Sequence, residues 1–234
     1  MNITVVYGQR HKGNTWKMTN LFLNQLTGDV YDNQIVEFFL PETGLEYCVG
    51  CTMCIVKDEK LCPHEETVQS IVTALDKADL IIFASPCYAF GMTGQLKTLF
   101  DHLAYRYMSH RPEPSMFRKQ AIAISTAAGA GMGKTTKMIA DSLFMWGVAT
   151  IYRCGIRIAA ADFDSIPAKR KKKIESKVNR LVKKIKTNNG SARAGLKTRL
   201  VFLIMRLGQK NNTWIPIDKE HWQKHGWLDA KRPY

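Results

Sequence analysis

At 234 residues the chain is long enough for one well-packed domain plus an appendage. It has no run of 18 apolar residues to span a membrane, and Asn2-Ile3-Thr4-Val5-Val6-Tyr7 lacks the basic and apolar regions of a secretory signal. A cytoplasmic location with reduced cysteines is therefore expected. The net charge of +14 is uneven: residues 165–234 hold 19 Lys+Arg against 4 Asp+Glu, and the first 164 hold 15 against 16. A basic segment can steer toward nucleic acid or anionic lipid, or simply be the solvated face of a helix, and no nucleic-acid partner is expected.

The first strand-like run, 2–7, leads into Gly8-Gln9-Arg10-His11-Lys12-Gly13-Asn14-Thr15 and a helical pattern over about 14–26. Small and polar residues ahead of a helix present backbone N–H groups and hydroxyls to an anion, and the helix dipole adds to the attraction. The structural alternative is that Asn14 or Thr15 merely caps the helix.

A second strand-like run covers 30–39, and four cysteines follow as Cys48-x2-Cys51-x2-Cys54-x7-Cys62, with Pro63 next. Thiols at intervals of three are too close for ready disulfide pairing. They are arranged to turn toward one soft metal centre, and the opening matches the C-x2-C-x2-C of bacterial ferredoxins. A zinc site more often shows two separated C-x2-C knuckles. A reduced loop that binds nothing, or a redox-active thiol pair, stays open as well.

A helical pattern at 65–77 precedes Leu80-Ile81-Ile82-Phe83-Ala84, within a strand over 79–84. This apolar run suits a parallel strand covered on both faces. Ser85-Pro86-Cys87-Tyr88-Ala89-Phe90-Gly91-Met92-Thr93-Gly94-Gln95-Leu96-Lys97 follows, offering a flat aromatic platform and two glycines that admit close approach, or else a plain strand–helix turn capped by Thr93. The next helix is expected over about 93–108, with His102 and His110 read as surface residues or helix-end caps. A strand at 120–126 runs into Thr126-Ala127-Ala128-Gly129-Ala130-Gly131-Met132-Gly133 and a helix at 134–146. Within it, Ala128-x4-Gly133-Lys134-Thr135 resembles a phosphate-binding P-loop lacking its first glycine, but the neighbouring strand ends carry no carboxylate to hold magnesium. A last strand at 148–158 and a helix at 168–187, with apolar Ile174, Val178, Leu181, Val182 and Ile185 on one stripe, complete the alternation.

Five strands alternating with five helices point to a doubly wound α/β sandwich, whose ligands sit at the carboxyl ends of the strands. The chain divides into a domain over 1–187 and an extension over 188–234. The extension carries an apolar Leu200–Leu207 run and then Trp214, Trp222, Trp227 and Tyr234. Such a segment is expected to be ordered and to bury its aromatics, on the core or at a homodimer interface close to the ligand. A membrane-surface helix is the rival, which Lys197, Arg199 and Arg206 would also suit.

Residues 1–165 resemble the flavodoxin-like NADPH-dependent FMN reductase family, in its iron–sulfur flavoprotein branch. The resemblance is carried by Ser85-Pro86-x-Tyr88, Thr93-Gly94-Gln95-Leu96-Lys97, the Arg10 and Gly13-Asn14-Thr15 loop, and the cysteine run between the second strand and second helix. It implies a five-stranded parallel sheet with helices on both faces and a non-covalent FMN. The phosphate would lie against Gln9, Arg10, Gly13, Asn14 and Thr15. Pro86, Cys87, Tyr88, Phe90 and Gly91 would lie along the ring, with Thr126, Gly129 and Gly131 facing it. Gln9 departs from the family's serine, and the last cysteine gap is longer than in the compact cluster-binding version. The implied activity passes electrons from NAD(P)H or a reduced protein to a small-molecule acceptor, with Cys48, Cys51, Cys54 and Cys62 as ligands of a [4Fe–4S] cluster. No side-chain acid or base is nominated. The alternatives are a flavin reductase whose cysteines bind no cluster, a nucleotide-binding switch using 128–135, and a scaffold whose basic tail meets nucleic acid or membrane.

Overall fold

The computed structural model describes residues 1–28, 33–160 and 162–234. Five parallel strands, β1 (Asn2–Tyr7), β2 (Gln34–Phe39), β3 (Leu80–Pro86), β4 (Gln120–Ala127) and β5 (Thr150–Arg157), form one sheet in the order β2-β1-β3-β4-β5. The part of the expected second strand at 30–32 lies outside the described residues.

Period-two alternation along the strands feeds two cores. Ile3, Val5 and Tyr7 of β1 and Leu80, Ile82 and Ala84 of β3 face the helices α1 (Asn14–Thr27) and α6 (Ala168–Thr187). Val6, Ile81 and Phe83 face the other way, onto α3 (Glu65–Lys77), α4 (Gly94–His102) and α5 (Met132–Met145). Each face buries its own apolar layer, so β1, β3 and β4 sit in the interior of the sandwich, as parallel strands require.

The helix expected over 93–108 ends at His102. Leu103 leaves helical geometry (φ −97, ψ 16), and a 3-10 turn at Ala104–Arg106 follows. Tyr105 and Met108 keep the apolar spacing of a helix but reach the interior from this 3-10 turn and from the tight turn that follows it, closed by the His110 N–H on the Tyr107 carbonyl at 2.8 Å. A short helix α2 (Met53–Val56) lies inside the cysteine loop.

The extension forms α7 (Leu196–Lys210) and α8 (Pro216–Lys224). Phe202, Trp222, Trp227 and Leu228 pack on Met108 and Phe117, with Phe144 and Tyr234 at the margin. Phe202 stacks on Trp222 with ring centroids 4.7 Å apart and meets Phe117 edge-on at 5.4 Å. Trp214 does not join this cluster: it is 91% exposed, against the expectation that the tail buries its aromatics. No described helix is long and apolar enough to cross a membrane.

Candidate functional site

The strand order reverses at β1, and the loops after β1, β3 and β4 meet there at the carboxyl ends of the strands. Thr15, in the first turn of α1, and Thr126, at the end of β4, share a hydrogen bond of 2.7 Å between buried hydroxyls. Cys87 donates its backbone N–H to the Thr126 carbonyl at 2.9 Å. Gly8 abuts Thr93: a Cβ on Gly8 would lie 2.3 Å from the threonine Oγ1. Gly131, at φ +96, would likewise bring a Cβ within 2.4 Å of Cys87 Sγ. The three loops are thus locked to one another by small residues and hydroxyls.

Around this junction the chain leaves anion-seeking groups free. Gly13 is the N-cap of α1 and supplies no side-chain cap, so neither Asn14 nor Thr15 caps the helix. The first turn carries no acid, which leaves its N–H groups and dipole directed at the loop. Gln9 is 5% exposed, yet neither its amide nitrogen nor its amide oxygen has a hydrogen-bond partner among the described residues. A buried amide in that state is costly unless something else satisfies it. Arg10 is not drawn in: its side chain is 79% exposed and pairs with Glu42 at 3.3 Å.

The β3 loop carries the aromatic groups. Ser85 Oγ accepts from the Thr93 N–H at 3.0 Å, and the Thr93 hydroxyl caps α4 by accepting from Leu96 N–H at 3.4 Å. Between them Tyr88 and Gly91 exchange backbone hydrogen bonds of 3.1 and 2.9 Å across a two-residue turn, with Ala89 and Phe90 both at positive φ (47 and 60). This turn pushes Tyr88 and Phe90 outward, and both are exposed, with Phe90 next to Gly131; Gly129 on the β4 loop is exposed as well. Pro86 is buried at the end of β3, and Gly91 lies beside Met138.

The P-loop-like segment is not poised for a nucleotide. The Thr135 hydroxyl donates back to the Gly131 carbonyl at 3.2 Å, Lys134 is exposed, and Gly8 and Ser85-Pro86 stand at the neighbouring strand ends.

All four clustered cysteines are free thiols that line one cavity of about 20 Å³, together with His64, His102 and Pro63. Burial, then the charges of Cys62, Cys48 and Cys51, push the Cys54 thiol up, so the four sulfurs lie within each other's field. Cys62 Sγ is 3.6 Å from His102 Nδ1, while His102 Nε2 meets the Glu46 carbonyl at 2.9 Å. His102 is therefore buried under the cysteine loop, not a surface residue, and His110 bonds Asp218 Oδ2 at 2.7 Å. The donor set is soft and suits iron–sulfur or another thiophilic centre. Among the described residues no group of three or more His, Cys, Asp or Glu is drawn into a metal-binding arrangement, so the thiols share a cavity without converging on a point. Cys87 stands apart against Gly131, and Cys154 is fully buried in β5, its thiol pushed up to about 11 by burial.

Arg111 gave no signal in the sequence, yet it ties the cysteine loop to the extension. It donates to the carbonyls of Cys54 and Ile55 and pairs with Glu59 and Asp218. A separate cavity of about 750 Å³, lined by Arg118, Lys119, Lys231 and Arg232, opens beside Asp79 and Gln120, at the amino ends of β3 and β4 and away from these loops.

A doubly wound sheet in this order, with an uncapped helix and aromatic and glycine-bearing loops at its switch point, defines a flavodoxin-like protein. The chain belongs to the NADPH-dependent FMN reductase family, whose model matches residues 1–163, and is thus an FMN-dependent NAD(P)H oxidoreductase. An iron-sulfur flavoprotein of Clostridioides difficile is 30% identical over 185 residues, 79% of this chain and 77% of that one. An iron-sulfur flavoprotein of Archaeoglobus fulgidus is 22% identical over 229 residues, 97% of this chain and 99% of that one. In fold, the NAD(P)H:quinone oxidoreductase of Methanothermobacter marburgensis matches with a TM-score of 0.61 at 15% identity, over 80% of this chain and 97% of that one.

Proposed function

We propose that the junction of the three loops holds FMN, with its phosphate at Gln9, Gly13, Asn14 and Thr15 and its ring between the 86–91 and 126–131 loops. The observation that carries this reading is the Gln9 amide, buried with neither end paired beside the uncapped start of α1. A phosphate would satisfy the amide nitrogen and the helix N–H groups together. The Thr15–Thr126 bond fixes the spacing between the phosphate end and the ring end. Tyr88 and Phe90 offer flat apolar surface, and the exposed Gly129, with open space where a Cβ would stand, keeps the opposite wall low enough for a planar group to approach. Arg10 approaches the phosphate only by giving up its ion pair with Glu42.

When bound, FMN accepts hydride and passes electrons on, and the protein contributes position and electrostatics. Among the described residues no buried acid or base stands at the junction, so Tyr88 serves as a wall and not a proton donor. Electrons come from NAD(P)H and go to a small acceptor. The exposed Tyr88 and Phe90 also mark the face where a second copy would close the site, which supports a homo-oligomer joined at the flavin.

We further assign Cys48, Cys51, Cys54 and Cys62 as ligands of a [4Fe–4S] cluster, supported by the shared cavity, the soft donor set and the names of the relatives. The loop has to draw its sulfurs together to do so. The visible spectrum of anaerobically purified protein tests both assignments. Two flavin bands on a broad cluster absorbance are expected. Flavin bands alone would remove the cluster, and neither would remove the whole reading.

A further inference from the structure

Helix α7 keeps one face without a partner among the described residues of its own chain. Its inner face is anchored: Phe202 is fully buried, Thr198 is buried, and Gln209 Nε2 donates to the Ser109 carbonyl at 2.7 Å. Arg199 and Arg206 also turn inward, to the carbonyls of Ala194, Leu228 and Asp229. On the outer side Leu196, Leu200, Leu203, Ile204 and Leu207 recur at helical spacing and are 38–84% exposed. Trp214, just beyond the helix, is more exposed than any of them. An apolar stripe of this continuity needs a covering surface.

We propose that this face lies on an anionic lipid surface, with α7 in the plane of the interface and Trp214 at headgroup depth. Charge decides between lipid and a second copy. Residues 188–234 hold 9 Lys+Arg against 3 Asp+Glu, and α7 itself holds no acid. Exposed Arg193 and Lys210 bracket the stripe at its two ends. Two such helices face to face would bring like charges together with nothing to pair them, whereas anionic headgroups complement them. Area points the same way. A 15-residue helix is about 22 Å long, so a stripe roughly 10 Å wide offers about 200 Å². A standard protein interface needs about 800 Å² from each side. A bilayer sets no such threshold, and apolar insertion combined with basic attraction is the pairing of signals that surface helices use. Tryptophan favours the water–lipid boundary because one end is apolar and the other wet.

The test uses the full-length protein, co-sedimented with vesicles of 30% phosphatidylglycerol in phosphatidylcholine and with vesicles of phosphatidylcholine alone. Wild type should bind the anionic vesicles at least ten-fold more tightly and lose that preference in high salt. Leu203→Glu with Leu207→Glu should weaken binding at least ten-fold, with circular dichroism and the mass by light scattering unchanged. Wild type that ignores anionic vesicles, or a variant that binds them as well as wild type, overturns the proposal. So does a fall in the variant's oligomeric mass, which would identify a second copy as the covering surface. If the double variant misfolds, Leu196→Ser and Trp214→Ser, at highly exposed positions, carry the same comparison.

Discussion

Arg111 and Asp218 form an ion pair in the interior, 107 residues apart in sequence, that joins the C-terminal extension to the cysteine loop. Asp218 is fully buried and also takes His110 on its other oxygen. The same guanidinium holds the carbonyls of Cys54 and Ile55, so the loop and α8 are fixed by one side chain.

Asp218→Asn leaves a buried guanidinium short of its main counter-charge. Removing one partner of a buried pair costs about 3 kcal/mol or more. Urea unfolding should show that loss. In the metal-free protein a thiol reagent should modify Cys54 faster than in wild type, because the loop loses its anchor. Unchanged Cys54 reactivity would mean that the loop holds its shape without the extension.

Gln9→Met should act in opposite directions on the two forms of the protein. The apoprotein gains, or at least does not lose, stability, because an unpaired buried amide is replaced by an apolar group of similar volume. FMN affinity should fall by about 1–3 kcal/mol, the range for removing a hydrogen bond to a charged group. Flavin fluorescence quenching measures the second effect and thermal melting of the apoprotein the first.

Anaerobic reconstitution should load close to four iron and four sulfide per chain if the centre is of the four-iron type. Serine at Cys48, Cys51, Cys54 or Cys62 should cut that loading, while Cys87→Ser and Cys154→Ser should not. Protein that takes up no iron would leave a flavin reductase with an ordinary thiol loop.

His221 gives the extension a pH dependence. Burial first, then the neighbouring His225, lowers its pKa from 6.5 to about 4, and its Nε2 meets the Pro112 carbonyl at 3.1 Å. The unfolded chain therefore binds more protons between these values. Stability is full above pH 6.5 and falls as the pH drops toward 4, by roughly 2 to 3 kcal/mol. Melting temperatures across that window should decline less in His221→Gln, whose amide can keep the bond to Pro112 without titrating.

Much of this was readable from residue patterns. Leu80–Ala84 announced a central strand because both faces of a parallel sheet are apolar, and the spacing of Ile174, Val178, Val182 and Ile185 gave α6 its buried stripe. The loops at the strand ends were legible for the same reason, since parallel topology determines where they gather. The Arg111–Asp218 pair was not, because neither residue belongs to a local pattern and only tertiary packing brings them together. His102 was misread because the cysteine loop that covers it has no periodic signal of its own. Trp214 and Trp222 look alike in composition but end on opposite sides of the surface. Trp222 rides on α8 and donates to the His110 carbonyl at 2.7 Å, whereas Trp214 belongs to the link before that helix.

The turn between Tyr88 and Gly91 has a consequence for how this protein can be altered. Ala89 and Phe90 sit in the left-handed region, where an L-residue costs about 1–2 kcal/mol more than glycine. An Asn-Gly pair would adopt the same two-residue turn without that penalty. A screen for thermostability should therefore drift toward Asn-Gly at these positions, and the survivors would melt higher while lacking the phenyl ring at the mouth of the site. If Phe90 walls the flavin as proposed, heat resistance and turnover compete for the same two residues, and only selection on turnover would keep the phenylalanine.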